Sequence, residues 1–303
     1  MPTNAASLHG KSMVGNKDIW YQWLLHRRFG GDPKQMQDMA DLHAVRDEVL
    51  SHANLDDGDV LLDVGCGDGL IAFGALEKTK TGRVLFSDIS QDLLEHARSI
   101  AEEMGVSERC EFLRASADDL SAIEESTVDV VTTRSVLIYV SNKQQAVDEF
   151  HRVLKPNGRL SIFEPINRFG WPEPPHLFWG YDVTPVMETA QKVKALYHRL
   201  QPVETDPMMN FDERDLMAFA EQAGFGEIHL ELRAEISPAD EKASWEAYFK
   251  TAGNPKIPTL EEAIQQTLTS EEAEKFIAHL RPLVEGRQQV RRWAGVYLWA
   301  VKH

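Results

Sequence analysis

Leu61-Leu62-Asp63-Val64-Gly65-Cys66-Gly67-Asp68-Gly69 is the stretch on which the fold turns: an apolar run that ends in glycine at every second position. Residues 60–64 read as a buried strand, and the glycines read as a tight turn that opens a helix at 69–78. Without a Cβ, the backbone of such a turn can approach a ligand closely and take dihedrals that other residues resist. The spacing narrows the choice of ligand. A dinucleotide-binding turn has the form Gly-x-Gly-x-x-Gly, but counting from Gly65 puts Leu70 where the third glycine should stand, and counting from Gly67 also fails.

Outward from this turn, residues 84–87 read as the second strand, closed by Asp88. A carboxylate there can accept hydrogen bonds from both hydroxyls of a ribose, or serve only as a helix N-cap. Further runs at 110–114, 128–133 and 160–164 read as strands, with helices at 91–104, 117–123 and 143–154 between them. Lys155-Pro156-Asn157-Gly158 reads as a turn whose glycine is free to take a positive φ. Two last strands are expected at 227–236 and 295–302. The alternation predicts an α/β fold with a doubly wound, mostly parallel, seven-stranded sheet of the Rossmann-like kind.

Four regions are expected around that sheet. Residues 1–54 form an N-terminal helical cap, with a mobile polar terminus and a helix at 17–29. A second helix follows, with Asp32 as N-cap, Pro33 as its first residue, and Met36, Met39, Leu42, Val45 and Val49 as its apolar stripe. Residues 55–164 form the core. Residues 165–210 mix Pro165, Pro172, Pro174 and Pro175 with Phe169, Trp171, Phe178, Trp179 and Tyr181, and read as a lid insertion that ends in a helix at 185–200. Residues 211–303 return to the core, with a helix at 213–223 stopped by Gly224 and a helical insertion at 238–293. That insertion has two readings, an extension of the ligand pocket or a homodimer contact.

Composition excludes several function classes. A net charge of -16 repels a phosphate backbone, so no nucleic-acid partner is expected. No apolar run approaches the ~20 residues that span a membrane, and no signal peptide is expected. Cys66 and Cys110 are the only cysteines and lie far apart, which argues against disulfides and metal sites and fits a cytoplasmic location.

Taken with the later landmarks, the glycine turn resembles that of the class I S-adenosylmethionine (SAM)-dependent methyltransferases, specifically the type 11 small-molecule group. The likeness runs from about Asp59 to Glu164 and rests on residues 62–69, Asp88, Ala115-Ser116-Ala117-Asp118-Asp119-Leu120, Val130-Val131-Thr132-Thr133-Arg134-Ser135-Val136-Leu137, and Arg152-Val153-Leu154-Lys155-Pro156-Asn157-Gly158-Arg159-Leu160. It implies that residues 55–164 bind SAM and release S-adenosylhomocysteine. Gly65, Cys66, Gly67 and Gly69 would line the methionine and ribose, with Asp63 beneath the turn, holding it or reaching the methionine amino group through water. Asp88 would take the ribose hydroxyls, and Ile89 would pack on the adenine. Ser116, Ala117 and Asp118 would meet the adenine edge; the family more often has Gly-Asp where this chain has Ala115-Ser116. Thr133 and Arg134 would face the methionine end.

A methyl group on a sulfonium needs proximity and alignment more than a base, because in-line displacement neutralises the charge. Where an acceptor must lose a proton, the candidates are Glu164 at the end of the fifth strand, His26 in the cap, and His176 and Tyr181 in the insertion. Aromatic clusters at Trp20-Tyr21-Trp23 and 169–181 are expected to be core or lid packing, and they suggest a small apolar or aromatic acceptor. Two rivals are a nicotinamide-dependent oxidoreductase, disfavoured by the missing glycine, and a SAM-binding protein without turnover.

Overall fold

A computed structural model describes residues 17–31, 40–238 and 244–303. Strands β1 (Val60–Val64), β2 (Arg83–Asp88), β3 (Cys110–Arg114), β4 (Val128–Arg134) and β5 (Leu154–Pro165) pair in parallel. The short strands β6 (Leu177–Phe178) and β7 (Tyr181–Asp182) form a separate hairpin. Then β8 (Glu227–Pro238) and β9 (Val290–Val301) complete one sheet of seven strands in the order β3-β2-β1-β4-β5-β9-β8, with β9 antiparallel to both its neighbours. The expected doubly wound, mostly parallel sheet is therefore present. Order reverses between β1 and β4, which is where such sheets open a crevice beyond their carboxyl ends.

The sheet is buried on two sides. Leu62, Val131 and Leu160, all fully buried, sit in one apolar cluster with Phe150 from the helix Lys143–Val153 and Phe211. Leu61, Phe86 and Val130 sit in a second, with Val49 of the helix Ala40–Ala53 and Phe73 of the helix Leu70–Lys78. A third cluster lies apart from the sheet: Phe178, Tyr181, Val193 and Tyr197 pack with Trp245, Leu260, Phe276 and Leu280. The two insertions thus share one core, built by β6, β7 and the helix Met187–Leu200 on one side and by the helices Trp245–Lys250, Leu260–Thr267 and Ser270–Glu285 on the other.

Several local readings need correction. Residues 117–123 form turns, not a helix: Ser116 and Asp119 make an isolated bridge, and the Leu120 N–H is taken by Glu149 Oε2 at 2.8 Å. The positive φ after Pro156 falls on Asn157, at 65°, while Gly158 is absent from the positive-φ residues. The segment is no free turn, because the Asn157 N–H bonds Lys302 O, and β5 starts already at Leu154. Strand β9 begins at Val290, earlier than expected, so the helical part of the second insertion ends before it. The N-terminal helix is short, an α-turn Ile19–Gln22 running into a π-helical turn Trp23–Arg27. Asp32, Pro33, Met36 and Met39 lie outside the described residues.

Candidate functional site

A cavity of about 330 Å³ opens at the carboxyl ends of β1, β2 and β4. Its floor is the glycine turn. Gly65 takes φ 64° and Gly67 φ 57°, and both are crowded: a Cβ on Gly65 would stand 2.4 Å from Val136 Cγ2, and one on Gly67 3.1 Å from Leu24 Cδ2. Only glycine fits between the strand end, the wall and the cap. Gly69 (φ 88°) precedes the helix Leu70–Lys78 and closes the turn through its N–H to Cys66 O at 2.8 Å.

Asp88 fastens the turn to β2. Its Oδ2 accepts the Gly67 N–H at 2.9 Å and its Oδ1 the Ser90 N–H at 2.8 Å, and burial pushes its pKa up. Each carboxylate oxygen keeps a second lone pair, so the acid can hold the loop and still accept from a ligand. Asp63 is 2 % exposed; Oδ1 accepts from Thr132 Oγ1 at 2.9 Å, while Oδ2 has no partner. Burial raises its pKa to about 7. A buried carboxylate oxygen left unpaired at a cavity wall is a place for a cationic ligand group.

Of the residues expected to bind cofactor, Asp63, Gly65, Cys66, Gly67, Asp88, Ile89, Ser116, Ala117, Asp118 and Arg134 line this cavity. Gly69 and Thr133 do not: Gly69 faces Phe73, and Thr133 is fully buried inside β4. Ser116 Oγ hydrogen-bonds Asp118, which holds the two on one edge of the cavity.

None of the four candidate bases lines it. Glu164, fully buried, spends its oxygens on backbone: Oε1 accepts from Val136 N at 2.8 Å and Leu137 N at 2.9 Å, and Oε2 from Ile138 N at 3.2 Å. Those amides belong to the wall that follows β4, so Glu164 is a clamp on the wall, and burial lifts its pKa to about 7. His26 and His176 are exposed, and Tyr181 belongs to the insertion core.

The cap supplies residues that sequence reading missed as site residues. Trp20, Trp23, Leu24 and Arg28 line the cavity from above, and Ser135, Val136, Tyr139 and Val140 from the side. Helical spacing in 20–28 was the available signal. Tyr139 meets Trp20 edge-to-face, centroids 4.9 Å apart. Ser135 holds φ 57°, an uncommon conformation for a non-glycine residue and one often found at functional sites. The cap is tied down at both ends. At its start Asp18 hydrogen-bonds Ser90 Oγ at 2.7 Å and Lys17 pairs with Asp92 at 2.9 Å; at its end Trp23 Nε1 bonds Ala252 O at 2.8 Å and Arg27 pairs with Glu262.

A second cavity, of about 420 Å³, lies among the insertions, with Trp171, Trp179, Tyr197 and Tyr248 in its walls. Trp179 packs on both tyrosines, 5.5 Å from Tyr197 and 5.7 Å from Tyr248. Glu173 accepts the backbone N–H groups of Trp179 at 2.8 Å and Gly180 at 2.6 Å. Thr251 and Gly253 line this cavity while Trp23 lines the first, so the Trp23–Ala252 contact stands between the two. Among the described residues Glu48, His52 and Glu231 are close enough to share a metal ion, but Arg233 already pairs with both acids. No described helix is long and apolar enough to cross a membrane.

Fold and cavity together define a doubly wound α/β protein with a cavity at the glycine turn beyond its first strand. A methyltransferase domain model matches residues 55–224, more than half of the chain, and the chain belongs to that family, the class I SAM-dependent methyltransferases. Curated relatives include the ubiquinone/menaquinone biosynthesis C-methyltransferase UbiE of Hydrogenovibrio crunogenus, 36% identical over 109 residues, which are 35% of this chain and 42% of the relative. The tRNA 5-carboxymethoxyuridine methyltransferase of Escherichia coli K12 is 30% identical over 102 residues, 34% of this chain and 38% of the relative. The alignments span less than half the length of these relatives. The solved structure of YcgJ from Bacillus subtilis shares the fold at 18% identity, with a TM-score of 0.54 over 86% of this chain and 99% of that one. The insertion after β8 lies outside the family match.

The site fits the family's cofactor. Gly65 and Gly67 bring bare backbone to the cavity, Asp63 keeps a buried oxygen without a partner, and Asp88 has lone pairs to spare, a donor and acceptor set that suits an amino group and a ribose.

Proposed function

We propose that this protein transfers the methyl group of SAM to a small molecule whose reacting part is apolar or aromatic. The observation that carries the reading is the cavity itself, floored by the Gly65–Gly67 turn, gripped by Asp88 and roofed by Trp20 and Trp23. In this reading Gly65, Cys66 and Gly67 lie along the methionine and ribose, and Asp63 serves the amino group. Asp88 takes the ribose hydroxyls, Ile89 one adenine face, and Ser116, Ala117 and Asp118 the adenine edge. Gly69 and Thr133 support the turn and β4 from behind.

When bound, the cofactor supplies an electrophilic methyl on a sulfonium, so the protein's task is to orient and to exclude water. Trp20, Trp23, Leu24 and Tyr139 form an apolar roof that does this, and Glu164 holds the facing wall in register through three amides. The aromatic second cavity, adjoining across Trp23, gives an apolar acceptor room. A net charge of -16 argues for a small molecule rather than RNA, and cytoplasmic residence goes with two free cysteines.

Incubation with methyl-labelled SAM and, separately, a metabolite extract, a protein extract and tRNA tests this. Label is expected in the metabolite fraction. Label in tRNA or protein would move the acceptor to that class, and SAM binding without transfer to any fraction would make this a binding protein.

A further inference from the structure

Arg28 and Arg134 both line the first cavity, close enough for their charges to be felt by one another, and neither forms an ion pair among the described residues. They come from different elements. Arg134 ends β4, and Arg28 follows the π-helical turn of the cap, with its N–H bonded to Trp23 O at 2.8 Å. Arg28 is packed against the rings of Trp23 and Phe29, at 5.6 and 5.0 Å, which fixes its approach.

The electrostatics of this arrangement are unfavourable as it stands. Burial, and next the like charge of Arg134, push the Arg28 pKa down to about 10; Asp68 opposes the shift without reaching ion-pair distance. The other acids of the cavity have different partners: Asp63 bonds Thr132, Asp88 bonds Gly67 and Ser90, and Asp118 bonds Ser116. Two like charges facing a partly dry space repel, and an anion set between them turns that repulsion into two attractions. A planar guanidinium offers paired donors that match a carboxylate.

We propose that Arg28 of the cap and Arg134 of β4 together clasp the carboxylate at the methionine end of the cofactor. This rests on the methyltransferase reading above. Among the groups of SAM, only that carboxylate is anionic, so charge alone assigns the partner. Arg28 then makes the cap part of the cofactor site, and the second insertion acts on the cofactor at one remove, because Ala252 and Glu262 hold Trp23 and Arg27 in place.

Calorimetric titration of two ligands tests the proposal: S-adenosylhomocysteine, and 5′-methylthioadenosine, which lacks the amino-acid end. Arg28→Gln is expected to weaken S-adenosylhomocysteine about tenfold or more while leaving methylthioadenosine within about twofold. Arg28→Lys, which keeps the charge and loses the fork, should fall between. Asp88→Ala, acting at the ribose, should weaken both ligands. Unchanged affinity of Arg28→Gln for S-adenosylhomocysteine overturns the clasp, and equal weakening of both ligands overturns it too, since that marks a structural role. A wild-type protein that binds neither ligand defeats the methyltransferase reading itself, and the clasp with it.

Discussion

The first cavity and the second are of similar size and differ in how they are made. Beneath its aromatic roof, the first has a floor and a wall set by backbone: glycines with positive φ, a strand-end acid holding a loop amide, and a wall hung from Glu164. The second is framed by large side chains, brought together from segments that bracket β8 in the sequence. Backbone geometry tolerates few alternatives, because each departure meets a dihedral limit or an unpaired amide. Side-chain walls can be repacked so long as volume is kept. The structure therefore pairs a constrained cavity with a more permissive neighbour.

The sharpest test of that division is to loosen one side alone. Phe276 is fully buried in the insertion core, 5.4 Å from Phe178 edge-to-face, and Phe276→Ala should cost about 3–5 kcal/mol. Hydrogen exchange should then quicken in residues 187–200 and 245–285 while β1, β2 and β4 stay slow. Equal quickening throughout would show a single cooperative unit and dissolve the contrast.

A smaller effect belongs to the constrained side. Burial raises the Asp63 pKa to about 7, well above the ordinary carboxylate value of about 3.9. A raised acid favours folding most when protonated, so its contribution is present below pH ~4 and is lost as pH rises towards 7. Cofactor binding has the opposite sign. An amino group at Asp63 selects the ionised acid, so affinity for S-adenosylhomocysteine should fall as pH drops from 8 to 6, by up to about tenfold per unit below the pKa. Asp63→Asn should flatten that slope, and a slope that survives would remove Asp63 from amino-group binding.

The smallest effect is on the permissive side. Tyr248 Oη is buried without a hydrogen-bond partner, and burial pushes its pKa well up. Tyr248→Phe removes a buried orphan while keeping the ring, so stability should change by less than about 1 kcal/mol, in the favourable direction. A loss larger than that in thermal unfolding would reveal a partner for the hydroxyl.

Much of the constrained side was readable from residues 60–134. A glycine at every second position after an apolar run admits few backbone paths, and ten of the twelve residues expected at the cofactor line the first cavity together. Failures came where a distant segment intervened. Ala117, Leu120 and Ile123 have helical spacing, yet Glu149 of the next helix captures the Leu120 amide and turns win. Glu164 looked like a base because strand ends bear catalytic acids, but three amides from beyond β4 claim it. Nothing near Arg28 in the sequence shows that Arg134 and the cavity lie beside it.

By itself, the amino-acid order determined what short-range physics controls: which runs are strands, where the chain must bend through glycine, and hence the sheet and its crevice. Only the folded molecule decided that the two insertions share one core, that this core holds the cap over the crevice, and that two arginines far apart in sequence both line it. Those outcomes depend on contacts between surfaces far apart along the chain, where no local period or dihedral preference carries information about the partner.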